Sequence, residues 1–327
     1  MSVLNRIGSK SLYALTCPGQ GIVRAGLLDP NKRHLPLFQR DLDELDSALG
    51  QKFSQHLFLN GAPNNNEQFL QHTSNAQPAI LASTYITLKV FDTVYPGVNL
   101  LGNARFLLGH SLGEYTALLL SGVIDFTTAV RLVRLRGELM EKLVERRSAE
   151  SEEKKEYGLV ALMARPGDSF EQVLDAARQQ GVLGNINSRS QIVISGEIAE
   201  LDKFVESFKA AGNSRAILKK VSLPVNIPFH SEILKEIVPE LRSFLKGKTR
   251  EQKIPIVSNL DGSVSATAEE SVEKTLVANY SPVQWLKSME SLPKLGVDTV
   301  FNLGPGNLIH NINCKFKLEN CLIDEIP

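Results

Sequence analysis

The sequence predicts an α/β protein, in which a larger domain carries a nucleophile elbow and a small βαββαβ unit is inserted into it. Three observations carry that prediction. Residues 104–122 run from an apolar strand through Gly109-His110-Ser111-Leu112-Gly113 into a helix. Between Tyr157 and Val221, strand-like and helix-like patterns alternate in the order β-α-β-β-α-β, the split arrangement of a ferredoxin-like unit. Two further apolar strand runs, 255–259 and 298–303, follow that unit. The larger domain is therefore expected to take residues 1–150 and 223–327, and the inserted unit 151–222. The cleft between them is the natural place for a site.

Each element has a local reason. Residues 11–17 form a short apolar strand that stops at Pro18-Gly19-Gln20-Gly21, whose glycines let backbone amides approach a ligand. Apolar spacing predicts helices over 35–60 and 76–95, the second with Pro78 in its first turn. A long helix over 126–147 follows, with Asp125 as its N-cap. The charged stretch 145–156 reads as a surface linker into the inserted unit, whose strands are expected at 158–163, 182–187, 191–195 and 214–221, with helices at 168–180 and 197–211. Residues 223–231 are too proline-rich for a central strand.

Composition excludes several classes of function. Lys plus Arg and Asp plus Glu both number 36, so no net field draws the chain to nucleic acid or an anionic membrane. No apolar run has the length of a membrane span, and the chain is expected to be soluble. Cys17, Cys314 and Cys321 lie far apart with no metal-ligand spacing, and their odd number argues against a disulfide framework. No metal and no cofactor is expected. The first thirteen residues hold Arg6 and Lys10 and no acid, a composition shared by the end of an organelle transit peptide and by a disordered start.

The elbow defines the chemistry to look for. A serine on so tight a turn stands clear of the sheet edge, and the first N–H groups of the helix behind it face the same point. Glycines at 109 and 113 are required because larger side chains would collide there. The plainer alternative makes Ser111 an ordinary helix cap. A nucleophilic serine needs a base, and of the six histidines His34 and His56 read as surface residues, His72 as a helix-start partner and His310 as a core or boundary residue. His110 adjoins Ser111 but diverges from it at the turn. His230 remains, on a loop stiffened by Pro228.

Arg136 is the third candidate. It falls within the apolar stripe Ala129, Leu132, Val133, Leu139, Met140 and Leu143, so it points inward, whereas Arg131 and Arg134 lie on outer faces with Glu138, Glu141 and Glu145. An inward guanidinium needs an anion, either a protein carboxylate or a substrate carboxylate held by its planar fork. With a serine nucleophile nearby, the substrate is the better choice.

Six motifs in order carry a resemblance: Cys17-Pro18-Gly19-Gln20-Gly21, Gly109-His110-Ser111-Leu112-Gly113-Glu114, Arg136-Gly137 with Leu139-Met140, Asn185 and Asn187 with Gln191, Pro228 with His230-Ser231, and Gly304-Pro305-Gly306. Over nearly the whole chain they resemble malonyl-CoA:acyl-carrier-protein transacylases. The stretches 226–230 and 259–262 look most like the fungal mitochondrial members. The resemblance implies a hydrolase-like core with a ferredoxin-like subdomain, and transfer of malonyl from malonyl-CoA to the phosphopantetheine thiol of acyl carrier protein in fatty acid synthesis. It implies Ser111 as nucleophile, His230 as base, the amides of Gln20 and Leu112 as oxyanion hole, and Arg136 as holder of the malonyl carboxylate. Backbone carbonyls near residues 279–284, rather than an Asp, would orient the histidine.

Asn187 and Gln77 match pocket positions of the family, although each serves equally as an amide that satisfies buried backbone. Leu112 and Phe229 resemble residues of malonyl-selective members. The family's usual Phe is Cys17 here, and its Ser-Gln after the loop is Ile22-Val23. Because carrier proteins are acidic, Lys219, Lys220 and Arg189 are the candidates for carrier or CoA contact. The expected protein is a monomer of the mitochondrial matrix, with the cytoplasm as the alternative. The competing readings are a serine esterase or thioesterase, marked by a carboxylate on His230, and a non-catalytic scaffold of a fatty-acid synthesis assembly.

Overall fold

The computed structural model describes residues 12–21, 23, 25–61, 66–151, 154–324 and 326. The transit-like start before Leu12 and the departure at Ile22 lie outside them. Among the described residues no helix is long and apolar enough to cross a membrane.

Five residues, all but Thr16 apolar, form β1 (Tyr13–Cys17), buried along its whole length. Helices α1 (Leu35–Leu49), α2 (Asn66–Gln71) and α3 (Thr73–Val94) follow. Then come β2 (Phe106–Gly109), α4 (Leu112–Leu120) and α5 (Phe126–Ala149). The next elements are β3 (Tyr157–Ala164), α6 (Asp168–Gln179), β4 (Leu183–Ser188), β5 (Gln191–Glu197), α7 (Ile198–Phe208) and β6 (Ile217–Ser222). The chain continues through α8 (Val238–Leu245), β7 (Ile256–Val257), β8 (Val264–Ser265) and α9 (Ala268–Val277). It finishes with α10 (Trp285–Ser291), β9 (Thr299–Leu303), α11 (Leu308–Asn313) and β10 (Glu319–Ile323).

These strands make a six-stranded sheet in the order β10-β9-β1-β2-β7-β8 and a four-stranded sheet in the order β4-β5-β3-β6. The first is parallel apart from its β7–β8 edge. Register aligns Cys17 with Gly109, so the loops after β1 and β2 leave the carboxyl edge side by side. The second sheet is antiparallel throughout. Its helix-facing side packs Val160, Leu162 and Ile194 with Phe170 of α6 and Phe204 of α7, while Leu159, Ala161 and Val193 join the main core. Ile186 N–H donates to the Val283 carbonyl and Val283 N–H to Gly184, which seams β4 to the segment before α10.

The expected α/β architecture and the βαββαβ order are both present. Several local expectations change. The helix foreseen over 35–60 stops at Leu49, because Gly50 takes a left-handed conformation and caps it with its N–H on the Asp46 and Ser47 carbonyls. The helix foreseen from residue 76 begins at Thr73, so Pro78 lies past its first turn and cannot donate to the Ser74 carbonyl. Arg134 Nη1 donates there instead at 3.3 Å, and it also bonds Asn75 Oδ1 and Glu138. Arg134 is thus a partly buried brace between α3 and α5 rather than a solvated helix charge.

Asp125 caps α5 as expected, accepting from Thr128 N–H, but the helix runs on to Ala149 through the first part of the supposed linker. The strand at 255–259 contracts to two residues, and β8 and β10 were not foreseen.

Candidate active site

The elbow forms by backbone contact. An added Cβ at Gly109 would lie 2.0 Å from the Gly113 carbonyl carbon, and one at Gly113 would lie 2.2 Å from the Cys17 carbonyl oxygen. Strand, turn and the Pro18-Gly19 loop are therefore pressed together with room only for hydrogen. Ser111 sits at the turn with φ 54° and ψ −112°, a strained backbone for a non-glycine residue. Its side chain makes no capping bond to α4. The plain helix-cap reading fails on that point, because Oγ lies 2.7 Å from His230 Nε2 instead.

His230 is 3% exposed and also has positive φ, at 65°. Its Nδ1 lies 2.7 Å from the Ala278 carbonyl oxygen. A carbonyl can only accept, so Nδ1 carries the proton, Nε2 carries the lone pair, and the Ser111 hydroxyl donates to it. The Ala278 carbonyl comes from one residue before the foreseen stretch, and Ser281 backbone adds a second contact. A carbonyl in this place removes the mark of the esterase reading, a carboxylate on His230. Burial first, and then the charges of Arg136 and His110, push the imidazole down to about 3 against the lift from Ala278 and Ser281. The His230 imidazole is therefore neutral throughout the physiological range, with Nε2 free to accept a proton.

Arg136 is 2% exposed and pairs with no carboxylate among the described residues. Its Nε donates to Asn279 Oδ1 at 2.7 Å and its Nη1 to Gln77 Oε1 at 2.8 Å, and its guanidinium carbon stands 5.1 Å from the Tyr115 ring centre. Tyr115 lies one turn beyond Ser111 on α4, so the same helix supports the elbow serine and the guanidinium. Tyr115 was not among the foreseen residues, and Asn279 was foreseen only as the start of the carbonyl stretch 279–284, not as a side-chain partner of Arg136. Tyr115 had a readable signal in its i+4 spacing from the serine, whereas nothing in the sequence marked the Asn279 side chain as a partner of Arg136.

The other candidates divide. Leu112 opens α4 and Gln20 leaves the loop pressed on the elbow, and neither backbone N–H has an acceptor among the described residues. Asn187 accepts from His110 Nε2 at 2.9 Å, which joins the small sheet to the elbow. Phe229 is buried in the main core beside His230. A cleft of about 870 Å³ opens beside this region, lined among others by Gln20, Thr73, Val144 and Ile227.

The three basic candidates do not converge on one face. Lys220 pairs with Leu162 on the helix side of the small sheet and bonds Asp202 of α7, whereas Lys219 stands opposite Met163 and points to the other side. Arg189 is tied to Glu290 at 2.6 Å. Of the six histidines, His56 is not a free surface residue, since it stacks on Phe69 with ring centres 3.7 Å apart.

Glu114 is a buried acid that sequence reading left without a role. It accepts from Ser258 Oγ at 2.8 Å and Asn259 N–H at 2.9 Å, fixing the turn after β7 to the elbow helix. Burial outweighs these bonds and raises its carboxyl to about 7.

Fold and site together define a class, an α/β acyltransferase built around a serine–histidine pair. Residues 16–305 match the family described as "Acyl transferase domain". The chain is 32% identical over 315 residues to the malonyl CoA-acyl carrier protein transacylase of Bacillus subtilis, covering 94% of this chain and 92% of that one. It is 29% identical to the Escherichia coli K12 protein of the same name, covering 91% and 90%. An acyl-carrier-protein-S-malonyltransferase structure from Bartonella henselae superposes with a TM-score of 0.81 at 26% identity, covering 96% and 95%. A malonyl-transacylase in complex with a type II PKS acyl-carrier protein gives the same TM-score at 27% identity, covering 97% of each chain. The chain belongs to the acyl transferase domain family and, within it, to the malonyl CoA-acyl carrier protein transacylases.

Two measurements follow. Because His230 titrates far below an ordinary imidazole, the acid limb of kcat/KM for acylation is expected below pH 6.5, and a limb at or above 6.5 would contradict the buried neutral base. Glu114 holds its proton to higher pH folded than unfolded, so folding stability contributed there is present below about 4.5 and lost as pH rises through about 7. Glu114→Gln should therefore gain stability relative to the parent as pH increases across that window. Denaturant unfolding at several pH values checks it.

Proposed function

We propose that this protein transfers malonyl from malonyl-CoA to the phosphopantetheine thiol of acyl carrier protein through a malonyl ester of Ser111. The observation that carries the reading is the buried Arg136 guanidinium, held by neutral amides instead of a carboxylate and close enough to His230 to disfavour its protonation. A charge so placed matches the free carboxylate of a malonyl group.

In the first half-reaction Ser111 Oγ attacks the thioester carbonyl while its proton passes to His230 Nε2. The Gln20 and Leu112 N–H groups meet the developing oxyanion. Collapse expels the CoA thiolate, which takes the proton from His230, and leaves malonyl-serine. The carrier thiol then runs the same steps in reverse order. The Ala278 carbonyl stabilises the imidazolium in both halves. Asn187 acts by holding His110 and thereby the elbow.

The finer placing among fungal mitochondrial members rests on the stretches 226–230 and 259–262, and a matrix location rests on the acid-free start of the chain. Division of the chain at about residues 151 and 222 is supported by the span of the small sheet, from Tyr157 to Ser222.

Incubation with malonyl-CoA should label Ser111, and Ser111→Ala should abolish the adduct. Arg136→Ala should lower kcat/KM for malonyl-CoA by roughly tenfold or more while sparing acetyl-CoA, which has no carboxylate to lose. Equal losses for both substrates with a lower Tm would mean a purely structural arginine.

For the carrier, Lys219 is the better candidate, since Lys220 and Arg189 already have acidic partners. Lys219→Glu is expected to raise KM for the carrier at low salt more than Lys220→Glu does. Equal effects would remove Lys219 from the docking face.

A further inference from the structure

Asn279 joins two parts of the site that sequence reading treated separately. Its side chain is 2% exposed, and its amide orientation is dictated by its surroundings. Nδ2 faces the Leu276 carbonyl at 3.0 Å, the Thr275 carbonyl at 3.2 Å and the Tyr115 hydroxyl at 2.8 Å. Carbonyls only accept, so the nitrogen must lie on that side and the oxygen must face Arg136 Nε, 2.7 Å away. Gln77 Oε1 holds Nη1 in the same way. Two of the three guanidinium nitrogens are thereby fixed by neutral amide acceptors, and the Tyr115 hydroxyl adds a further neutral side-chain contact to Arg136. Orientation is set while the charge stays unneutralised.

The residue before Asn279 is Ala278, whose carbonyl holds His230 Nδ1. One turn at the end of α9 thus presents the acceptor for the base and the acceptor for the guanidinium. We propose that Asn279 is a positioning residue that sets selectivity for carboxylate-bearing acyl groups, by aiming the Arg136 fork and locking it in register with His230. This rests on the reading of Arg136 as partner of the acyl carboxylate. Asn279 itself touches no reacting atom. Its neutrality matters as much as its geometry, because a carboxylate at this position would occupy the guanidinium as an internal competitor.

The test compares kcat/KM for malonyl-CoA and acetyl-CoA in the parent, Asn279→Leu, Asn279→Asp and Arg136→Ala, with a thermal melt of each. Leu and Asp both keep the shape of the side chain, so if one fails to fold the other carries the measurement. Loss of the charge-assisted bond to Nε should lower the malonyl-to-acetyl ratio roughly tenfold in Asn279→Leu. Asn279→Asp should lower it further by pairing with Arg136. A parental ratio in a folded Asn279 variant, with the ratio lost in Arg136→Ala, overturns the role of Asn279 alone. Equal falls for both acyl groups, together with a lower Tm, also overturn it. A parental ratio in Arg136→Ala overturns the reading of Arg136 on which the proposal rests.

Discussion

The site depends on one steric constraint, the backbone-to-backbone approach of the elbow and the β1 loop. A Cβ at Gly113 would overlap the Cys17 carbonyl, and one at Gly109 would overlap the start of α4. With only hydrogen between them, the ends of β1 and β2 lie side by side, His110 N–H bonds the Cys17 carbonyl, and Gly113 N–H bonds the His110 carbonyl. That contact throws Ser111 into positive φ, sends its side chain away from the helix it precedes, and brings the Gln20 loop against the same turn. His230, also at positive φ, meets it from the other side. Strain at two residues is held by the surrounding sheet and helices, which is the usual circumstance of such conformers at reacting centres.

The parts legible in the sequence were those with strong local or periodic signals. The elbow, the Asp125 cap, the inward face of Arg136 and the βαββαβ order all follow from turn chemistry or hydrophobic period. The parts missed were decided elsewhere in the fold. β10 adds to the edge of the sheet beside β9 and is only partly buried, so its pattern is weak. Pro78 sits inside a helix because Arg134, far away in sequence, supplies the donor that the proline lacks at Ser74. The acceptor for His230 is a backbone carbonyl, which any residue type provides, so Ala278 carries no mark of its role. Lys219 and Lys220 look like a pair in sequence, yet strand alternation sends them to opposite faces.

Electrostatics ties these pieces into one design. A buried guanidinium without a carboxylate costs several kcal/mol in desolvation that its neutral partners only partly offset. The protein pairs many of its exposed arginines with acids, among them Arg242 with Glu273 and Arg250 with Asp125, yet leaves the most buried arginine among the described residues with amides and an aromatic face. An internal carboxylate would occupy the guanidinium, the group that on the proposed reading an acyl carboxylate reaches. The same uncancelled charge acts on His230, adding to burial in keeping the imidazole neutral. When a bound carboxylate neutralises Arg136, that contribution is removed and His230 becomes easier to protonate. On the proposed reading of the site, an acyl group that carries a carboxylate would thereby raise the proton affinity of His230 as it receives the Ser111 proton, and an acyl group without one would not. On the proposed reading of Arg136, one buried charge contributes both to the choice of acyl group and, after burial itself, to the neutrality of His230, and the cost of burying it is the cost of having both.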